Sequence, residues 1–335
     1  ISPIWIGYGW ANEKNDGYVV LKNEHNESVA MRFLITGATS MIGLALGKEL
    51  LEQGHQLVMV ARRMTEELEL FTHTPNATIV FCDMCDYGRV ADLVTGEIDT
   101  AVLLAWNGTR GEARNDRELQ EQNIQYNRAI LNQLLKLGCS KIITAGSQAE
   151  YGPWMSIEKI KETDIPHPNT MYGIAKLRFY EECCDFSSKH SINVIEPRFF
   201  SLYGPNDYAG TLIMSVLKKM LVNQPCELTG CIQMWDYLYI DDAIKGLVAL
   251  SGQDSASGVY NFGYGESAEL KQYIETMHRL SNSHSILNYG AIPYPKTGIV
   301  NVNPDVRKLK SLGWNPQVSF EQGIMRVIER LQKDN

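Results

Sequence analysis

From Met31 onward, short apolar runs alternate with longer stretches of helical periodicity. "MIGLALGKELLEQGH" has apolar residues at helical spacing and a glycine near its end, and a longer helical stretch runs from about 114 to 138. Strands that alternate with helices predict an α/β fold with a doubly wound parallel sheet covered on both faces. The runs typical of buried parallel strands are "MRFLITG", "QLVMVARR", "ATIVFCD", "DTAVLLAW", "KIITAGS" and "SINVIEPRFF".

After about Pro197 the alternation loosens, and the loops become richer in glycine, proline and asparagine. Helical stretches near 241–251, 266–281 and 319–332 alternate there with short strands. We expect a nucleotide-binding domain over 31–197 and a smaller mixed α/β substrate lobe over 198–335, with some crossing of the chain between them. Residues 1–30 do not fit the alternation and are expected to form an N-terminal extension of unknown role, with Met31 as a possible natural start.

Composition narrows the classes of function. The 335 residues carry a formal net charge of −8, so the chain has no basic footprint for nucleic acid. No apolar run approaches the roughly 20 residues that span a bilayer, so we expect no membrane partner. Seven cysteines suit free thiols in a reducing cytosol, and the chain is expected to be cytoplasmic. Cys82 and Cys85 form one C-x-x-C without a second ligand pair, so no metal site is predicted.

"LITGATSMIGLAL" places Gly37 at the end of the first strand and Gly43 at the start of the first helix. Glycines at this turn let the backbone approach a pyrophosphate, which the helix N-terminus then binds. This context predicts a dinucleotide cofactor. Arg62 and Arg63 follow the second strand, and arginine suits a ribose 2′-phosphate. We therefore expect NADP(H), with NAD(H) possible if both arginines are solvated loop charges.

"MYGIAK" places Tyr172 four residues before Lys176. On a helix these side chains share one face, and a nearby ammonium is expected to lower the pKa of a phenol. A tyrosine tuned in this way can exchange a proton with a substrate oxygen. The alternative is an ordinary surface helix.

Together these segments resemble the extended short-chain dehydrogenase/reductase family, in its nucleotide-sugar branch of epimerases, dehydratases and 4-ketoreductases. "TGATSMIG" is similar to that family's T-G-x-x-G-x-x-G, with Ser40 in place of the middle glycine. The resemblance implies a Rossmann-type fold and a catalytic set of Ser147, from "AGSQAEYG", with Tyr172 and Lys176. The cofactor contacts that it implies, together with the two arginines, are Gly37, Ser40, Met41, Ile42, Gly43, Arg62, Arg63, Asp83, Met84, Leu104, Ala105, Trp106, Asn123, Tyr172, Lys176 and Pro197.

"EPRFFSLYGP" and "QMWDYLYIDD" resemble the family's substrate-binding segments. Ser201 stands where an asparagine often contacts the nucleotide sugar, and Trp235 stands where an arginine usually meets the diphosphate. Trp235 is expected either to stack on the ligand or to belong to the core. The resemblance implies a nucleotide-diphosphate sugar as partner, in contact with Trp106, Gln148, Ser201 and Trp235.

The resemblance also narrows the reaction. Gln148 and Ala149 stand where a dehydratase carries an aspartate and a glutamate, so neither side chain can supply the added acid and base. We expect an NADPH-dependent reductase of a nucleotide-linked 4-keto-(deoxy)hexose. The alternatives are a nucleotide-sugar 4-epimerase with bound NAD(P) and a non-catalytic NADP-binding sensor or structural protein. A homodimer is expected through the 114–138 helix and the Tyr172 helix.

Overall fold

Apolar runs become strands and periodic stretches become helices along the part of the chain that the computed structural model describes, residues 30–294 and 298–333. The strands in chain order are β1 (Arg32–Thr36), β2 (Gln56–Ala61), β3 (Ala77–Phe81), β4 (Thr100–Leu103), β5 (Lys141–Thr144), β6 (Gly146–Ser147), β7 (Asn193–Phe199), β8 (Ser201–Tyr203), β9 (Cys226–Glu227), β10 (Met234–Trp235), β11 (Tyr237–Tyr239), β12 (Gly258–Phe262), β13 (Ala268–Glu269) and β14 (Leu287–Asn288). The helices are α1 (Met41–Glu52), α2 (Glu66–Glu69), α3 (Val90–Leu93), α4 (Arg117–Lys136), α5 (Met171–His190), α6 (Leu212–Leu221), α7 (Ile240–Ser251), α8 (Leu270–Leu280), α9 (Arg307–Lys310) and α10 (Phe320–Lys333). Short 3₁₀ turns cover Leu70–His73, Met84–Arg89, Gly111–Asn115 and Gln148–Glu150.

The large sheet has the strand order β12-β7-β5-β4-β1-β2-β3, and β6 extends it beside β7. Its pairings are parallel. Both faces are buried, because Phe33 and Ile35 of β1 pack into one apolar cluster and Leu34 packs into another. The predicted doubly wound parallel sheet is confirmed.

The second half of the chain contributes both to this sheet and to smaller ones. β12 pairs with β7, with Tyr260 opposite Pro197. Separate two-stranded sheets join β8 to β11, β10 to β13, and β9 to β14. The expected boundary after Pro197 falls inside β7, and the division into domains stays a prediction. The expected N-terminal extension lies, up to residue 29, outside the described residues.

The long helix predicted at about 114–138 forms as α4, which begins at Arg117. It begins there because the Asp116 side chain accepts a hydrogen bond from Leu119 N at 3.1 Å and so caps the helix. The residues just before it form a 3₁₀ turn. No helix in residues 30–294 or 298–333 is long and apolar enough to cross a bilayer.

Candidate active site

The turn from β1 into α1 is closed tightly by two glycines. Gly37 has φ +66°, and a Cβ built on it would lie 2.9 Å from the backbone nitrogen of Ala105. A Cβ on Gly43 would lie 2.5 Å from the carbonyl oxygen of Gly37. Ser40 has φ −75°, a conformation that needs no glycine, and its hydroxyl accepts a hydrogen bond from Gly43 N at 3.0 Å as the α1 cap. Ser40 therefore takes the place of the middle glycine without a strained backbone, and the cradle fits the phosphates of a dinucleotide.

The loop after β4 is fixed against this turn. Thr36 Oγ1 accepts hydrogen bonds from Leu104 N at 3.1 Å and from Ala105 N at 3.3 Å. Asn123, which is buried on α4, accepts from Asn107 N at 2.9 Å and donates to Asn107 O at 2.8 Å. Its polar atoms are therefore engaged by the loop, and the expected contact of Asn123 with the cofactor stays a prediction.

Ser147, Tyr172 and Lys176 come together at the carboxyl end of the sheet. Thr170 caps α5 by accepting from Gly173 N at 3.1 Å, and the i, i+4 spacing places Tyr172 and Lys176 on one face. The Ser147 side chain lies close enough to Tyr172 to favour its phenolate, and both side chains line the same cavity. Lys176 Nζ donates to Ala145 O at 2.9 Å and lies 3.8 Å from the centroid of the Trp106 ring.

The ionisation of this pair differs from the expectation. Burial raises the pKa of Tyr172, and the neighbouring Ser147 side chain opposes that rise only in part. The cations that favour its phenolate are Arg114, which lies 4.7 Å from the ring centroid, and Arg110. The predicted lowering of the Tyr172 pKa by Lys176 is therefore wrong, because burial outweighs the charges. Burial also lowers the pKa of Lys176 to about 8, against the opposing effect of Glu150 and Glu196.

A cavity of about 550 Å³ opens beside these groups. A neighbouring cavity of about 350 Å³ shares Arg114, Ser147, Phe199 and Phe200 with it and also contacts Gln148. The predicted site residues that line the larger cavity are Ser40, Met41, Ile42, Leu104, Trp106, Ser147, Tyr172, Lys176, Ser201 and Trp235.

The far wall of the larger cavity comes from the second half of the chain. β8 pairs with β11, so Ser201 lies opposite Tyr237. Trp235 precedes Asp236, a buried carboxylate that accepts hydrogen bonds from Tyr264 N and Gly265 N, each at 2.7 Å. Trp235 Nε1 is itself buried without a hydrogen-bond partner among the described residues, and Thr211 Oγ1 shares this condition. Trp235 packs against the core and also lines the cavity, and the expected stacking on a ligand stays a prediction.

The remaining predicted cofactor residues lie elsewhere. Arg62 and Arg63 are exposed just after β2, and Asp83 is exposed just after β3. Met84 is buried, with Asn107 Nδ2 at 3.5 Å from its sulfur, and Pro197 lies inside β7. None of these five residues lines the larger cavity, and their roles stay predictions.

Sequence reasoning missed three charged residues here. Arg110 and Arg114 enter the cavity from the loop after β4, and Glu150 accepts a hydrogen bond from Ser147 N at 2.7 Å. The sequence could not predict that the two arginines line the cavity, because it does not give the path of that loop. Glu150 could have been predicted, because it follows Ser147 at the spacing of a capping box. In the described part of the chain, no group of three or more metal-binding side chains could hold an ion.

Comparison with known proteins supplies the family context. Residues 33–263 match the model of the NAD dependent epimerase/dehydratase family. CDP-abequose synthase of Salmonella muenchen is 26% identical over 311 residues, covering 90% of this chain and 98% of that protein. dTDP-4-dehydro-6-deoxyglucose reductase of Escherichia coli is 25% identical over 321 residues, covering 89% and 97%.

Solved structures agree on the fold. UDP-glucose 4-epimerase of Thermotoga maritima, solved with UDP-glucose, superposes with a TM-score of 0.80 at 23% identity, covering 91% of this chain and 99% of that one. UDP-glucuronic acid 4-epimerase of Bacillus cereus, solved with UDP-glucuronic acid and NAD, gives a TM-score of 0.80 at 22% identity, covering 91% and 100%. The Rossmann-type fold expected from the sequence is confirmed.

Proposed function

The chain belongs to the NAD-dependent epimerase/dehydratase family, in its branch of nucleotide-sugar epimerases and reductases, and we propose that it is an NADPH-dependent reductase of a nucleotide-linked 4-keto-(deoxy)hexose. The supporting observation is geometric, since Ser147, Tyr172 and Lys176 line one cavity together with Arg110 and Arg114. Tyr172 is buried beside Ser147 in this cavity, and burial raises the pKa of its phenol, which suits a proton donor. A reductase begins with a proton donor, whereas a 4-epimerase must first remove a proton.

The chain's own residues then carry the proton step. The nicotinamide cofactor, when bound, supplies the hydride. Ser147 orients the carbonyl oxygen of the sugar, and Tyr172 donates its proton to that oxygen as negative charge develops. The Lys176 ammonium, 2.9 Å from Ala145 O, stabilises the phenolate that forms. Trp106, packed against Lys176, helps to keep water from the site.

A nucleotide-diphosphate sugar suits the two cavities. Arg110 and Arg114 offer positive charge for the diphosphate, while Ser201, Trp235 and Gln148 offer polar edges for the nucleotide and the sugar. A relative named as a reductase of dTDP-4-dehydro-6-deoxyglucose supports the keto-sugar class. Gln148 and Ala149 weigh against dehydration, because neither side chain is an acid or a base.

The choice of cofactor rests on Arg62 and Arg63. The two exposed guanidinium groups follow β2, where a ribose 2′-phosphate would lie. Titration of the purified protein with NADPH and NADH, followed by cofactor fluorescence, should show tighter binding of NADPH. Replacing both arginines by alanine should abolish that preference, and Arg117→Ala, at an exposed arginine of α4, should leave it unchanged. Equal affinities in the wild-type protein would reject NADPH dependence.

Several relatives are named as 4-epimerases, and this supports a second candidate. A 4-epimerase would interconvert a nucleotide sugar with its 4-epimer with no net change in the cofactor. Incubation with NADPH and a nucleotide-linked 4-keto-6-deoxyhexose separates the two reactions. The reductase oxidises one NADPH per sugar reduced. Epimerisation without net NADPH oxidation would replace the proposal, and inertness in both assays would favour a non-catalytic NADP-binding protein.

We also propose a homodimer through α4 and α5. These helices pack side by side, and Arg128 and Glu182 join them with hydrogen bonds of 2.8 and 2.6 Å. Their remaining surfaces would form a four-helix bundle with a second copy. Sedimentation at micromolar concentration should show a dimer, and a monomer alone would reject this assembly.

A further inference from the structure

Three charged side chains that the proposed reaction does not use are buried behind Ser147. Glu150, Glu196 and Arg198 are 0%, 1% and 2% exposed. Arg198 Nε donates to Glu150 Oε2 and to Glu196 Oε2, each at 2.9 Å. Replacing a buried ion pair by apolar residues is often neutral or stabilising, so stability alone does not account for this cluster.

The cluster contacts the site through the segment 145–147. Lys176 Nζ holds its first carbonyl, Ala145 O, at 2.9 Å. Glu150 Oε1 holds its last amide, Ser147 N, at 2.7 Å. Between them, a Cβ on Gly146 would lie 2.7 Å from Glu196 Cγ, so the carboxylate side chain fills the space that a larger residue would need. The segment that carries Ser147 is thus held at its two ends by groups of opposite charge.

The charges of the cluster complement Lys176. Lys176 is 5% exposed, and burial is the main effect that lowers the pKa of its ammonium. The titratable groups that oppose this lowering are Glu150 from the turn after β6, Glu196 from β7 and Cys183 from its own helix. Burial raises the pKa of both carboxyl groups, and Glu150 raises that of Glu196 further. Arg198, the Ser147 backbone and Lys176 favour the charged form of Glu150. Without Glu150, burial of the ammonium would be compensated less.

We propose that Glu150 is a positioning residue of the reaction, which fixes the Ser147 backbone and supplies, together with Glu196, the negative charge that retains the Lys176 ammonium in the buried site. This role rests on the proposed function, in which Lys176 acts in its charged form. The same carboxylate lies near Tyr172, where Ser147, Arg114 and Arg110 are the other polar neighbours. Loss of the Glu150 charge would lower the pKa of both Tyr172 and Lys176, so both groups would lose their protons at lower pH.

The direct test measures the Lys176 ammonium without substrate or cofactor. Protein labelled with [15N]lysine is titrated by NMR, and Lys176→Met identifies the signal. In Glu150→Gln, which keeps the side-chain size and an acceptor for Ser147 N, the Lys176 titration should move down by about one pH unit. Glu181→Gln removes a charge from an exposed position of α5, the helix that carries Lys176, and should leave the Lys176 titration unchanged.

A second readout is the alkaline limb of kcat/KM with NADPH, which should move to lower pH in Glu150→Gln by the same amount. An unchanged Lys176 titration in folded Glu150→Gln would overturn the proposal. If that variant does not fold, Glu196→Gln is judged by the same criterion, and failure of both to fold would overturn the proposal in favour of a purely structural cluster. A shifted titration in a protein that reduces no nucleotide keto-sugar would support the charge role and reject the proposed reaction.

Discussion

The two walls of the larger cavity are built in different ways. On the α5 wall, Tyr172 and Lys176 are both buried, Lys176 Nζ donates to Ala145 O, and the Ser147 side chain lies beside Tyr172. On the opposite wall, which we call the lobe wall, Thr211 Oγ1 and Trp235 Nε1 are buried without partners among the described residues. Buried polar groups are normally hydrogen-bonded. The lobe wall therefore has two polar atoms that lack partners, Thr211 Oγ1 and Trp235 Nε1.

This difference suggests that the α5 wall is preorganised for the reaction and that the lobe wall recognises the ligand. Groups that stabilise developing charge work best when they are fixed before the substrate arrives, as on the α5 wall. Unpaired buried groups gain most when a ligand supplies the missing partner, as the lobe wall allows. Substitutions on the α5 wall should therefore lower kcat, and substitutions on the lobe wall should raise KM.

The largest effect is expected for Tyr172→Phe. Loss of the phenol removes the proton donor and should lower the rate of hydride transfer roughly a hundred- to ten-thousandfold. Cofactor affinity should stay close to that of the wild type, because the ring and its packing remain. Single-turnover kinetics with NADPH measures the step, and full turnover in the variant would remove Tyr172 from proton transfer.

The pH dependence of the α5 wall should be steep. The pKa of Lys176 is lowered to about 8, so its competent ammonium is present below that pH and is lost above it. Tyr172, whose pKa is raised, stays protonated over the same range. We expect kcat/KM in the reductive direction to fall about tenfold for each pH unit above this value. A rate that stays level far above pH 8 would contradict the role of the ammonium.

Trp235→Phe tests the lobe wall with a smaller expected effect. The change removes the Nε1 donor and keeps an aromatic ring, so KM for the nucleotide sugar should rise roughly tenfold while kcat stays near its original value. Folding stability should barely change, since no internal hydrogen bond is lost.

Trp314→Phe is the matched control, because its Nε1 donates to Asp242 O at 2.8 Å. That variant should lose about 1–3 kcal/mol of stability with no change in KM. A drop in kcat for Trp235→Phe would contradict the expectation that substitutions on the lobe wall change KM alone.

The smallest effects, on the free energy of unfolding, are expected for two threonine substitutions at helix N-termini. Thr170 caps α5 through its hydroxyl, whereas Thr211 begins α6 without a side-chain cap bond. Thr170→Val should lower the free energy of unfolding by about 1 kcal/mol, and Thr211→Val should leave it nearly unchanged. Urea unfolding of both variants measures the difference, and equal losses would mean that Thr211 already has a partner.

The sequence predicted those features that depend on spacing along one element. Gly37 and Gly43 were placed at the first turn by a strand that runs into a helix, and Tyr172 and Lys176 share a face because they are four residues apart. Each of these features follows from local geometry, and the structure has them where they were expected.

Features that depend on how distant segments meet were not predictable. Arg114 reaches the Tyr172 ring from a loop whose path is fixed by Asn123, sixteen residues away from Asn107. The pKa of Tyr172 was misjudged because burial, which only the packed structure shows, outweighs the charges around it. The roles of Arg62, Arg63 and Asp83 stay predictions for the same reason, since a contact with a cofactor depends on both molecules.

The pairing of β12 with β7 also has a consequence for synthesis on the ribosome. β7 ends at Phe199 and leads directly into Ser201, but its outer neighbour ends only at Phe262. Asn261 of that neighbour also accepts a hydrogen bond from Tyr151 at 2.7 Å, close to Ser147 in the chain. At about 5–20 residues per second, the nascent chain carries an unpaired edge strand beside its active site for several seconds. An unpaired strand edge can pair with another chain, so the growing polypeptide is exposed to aggregation during that interval.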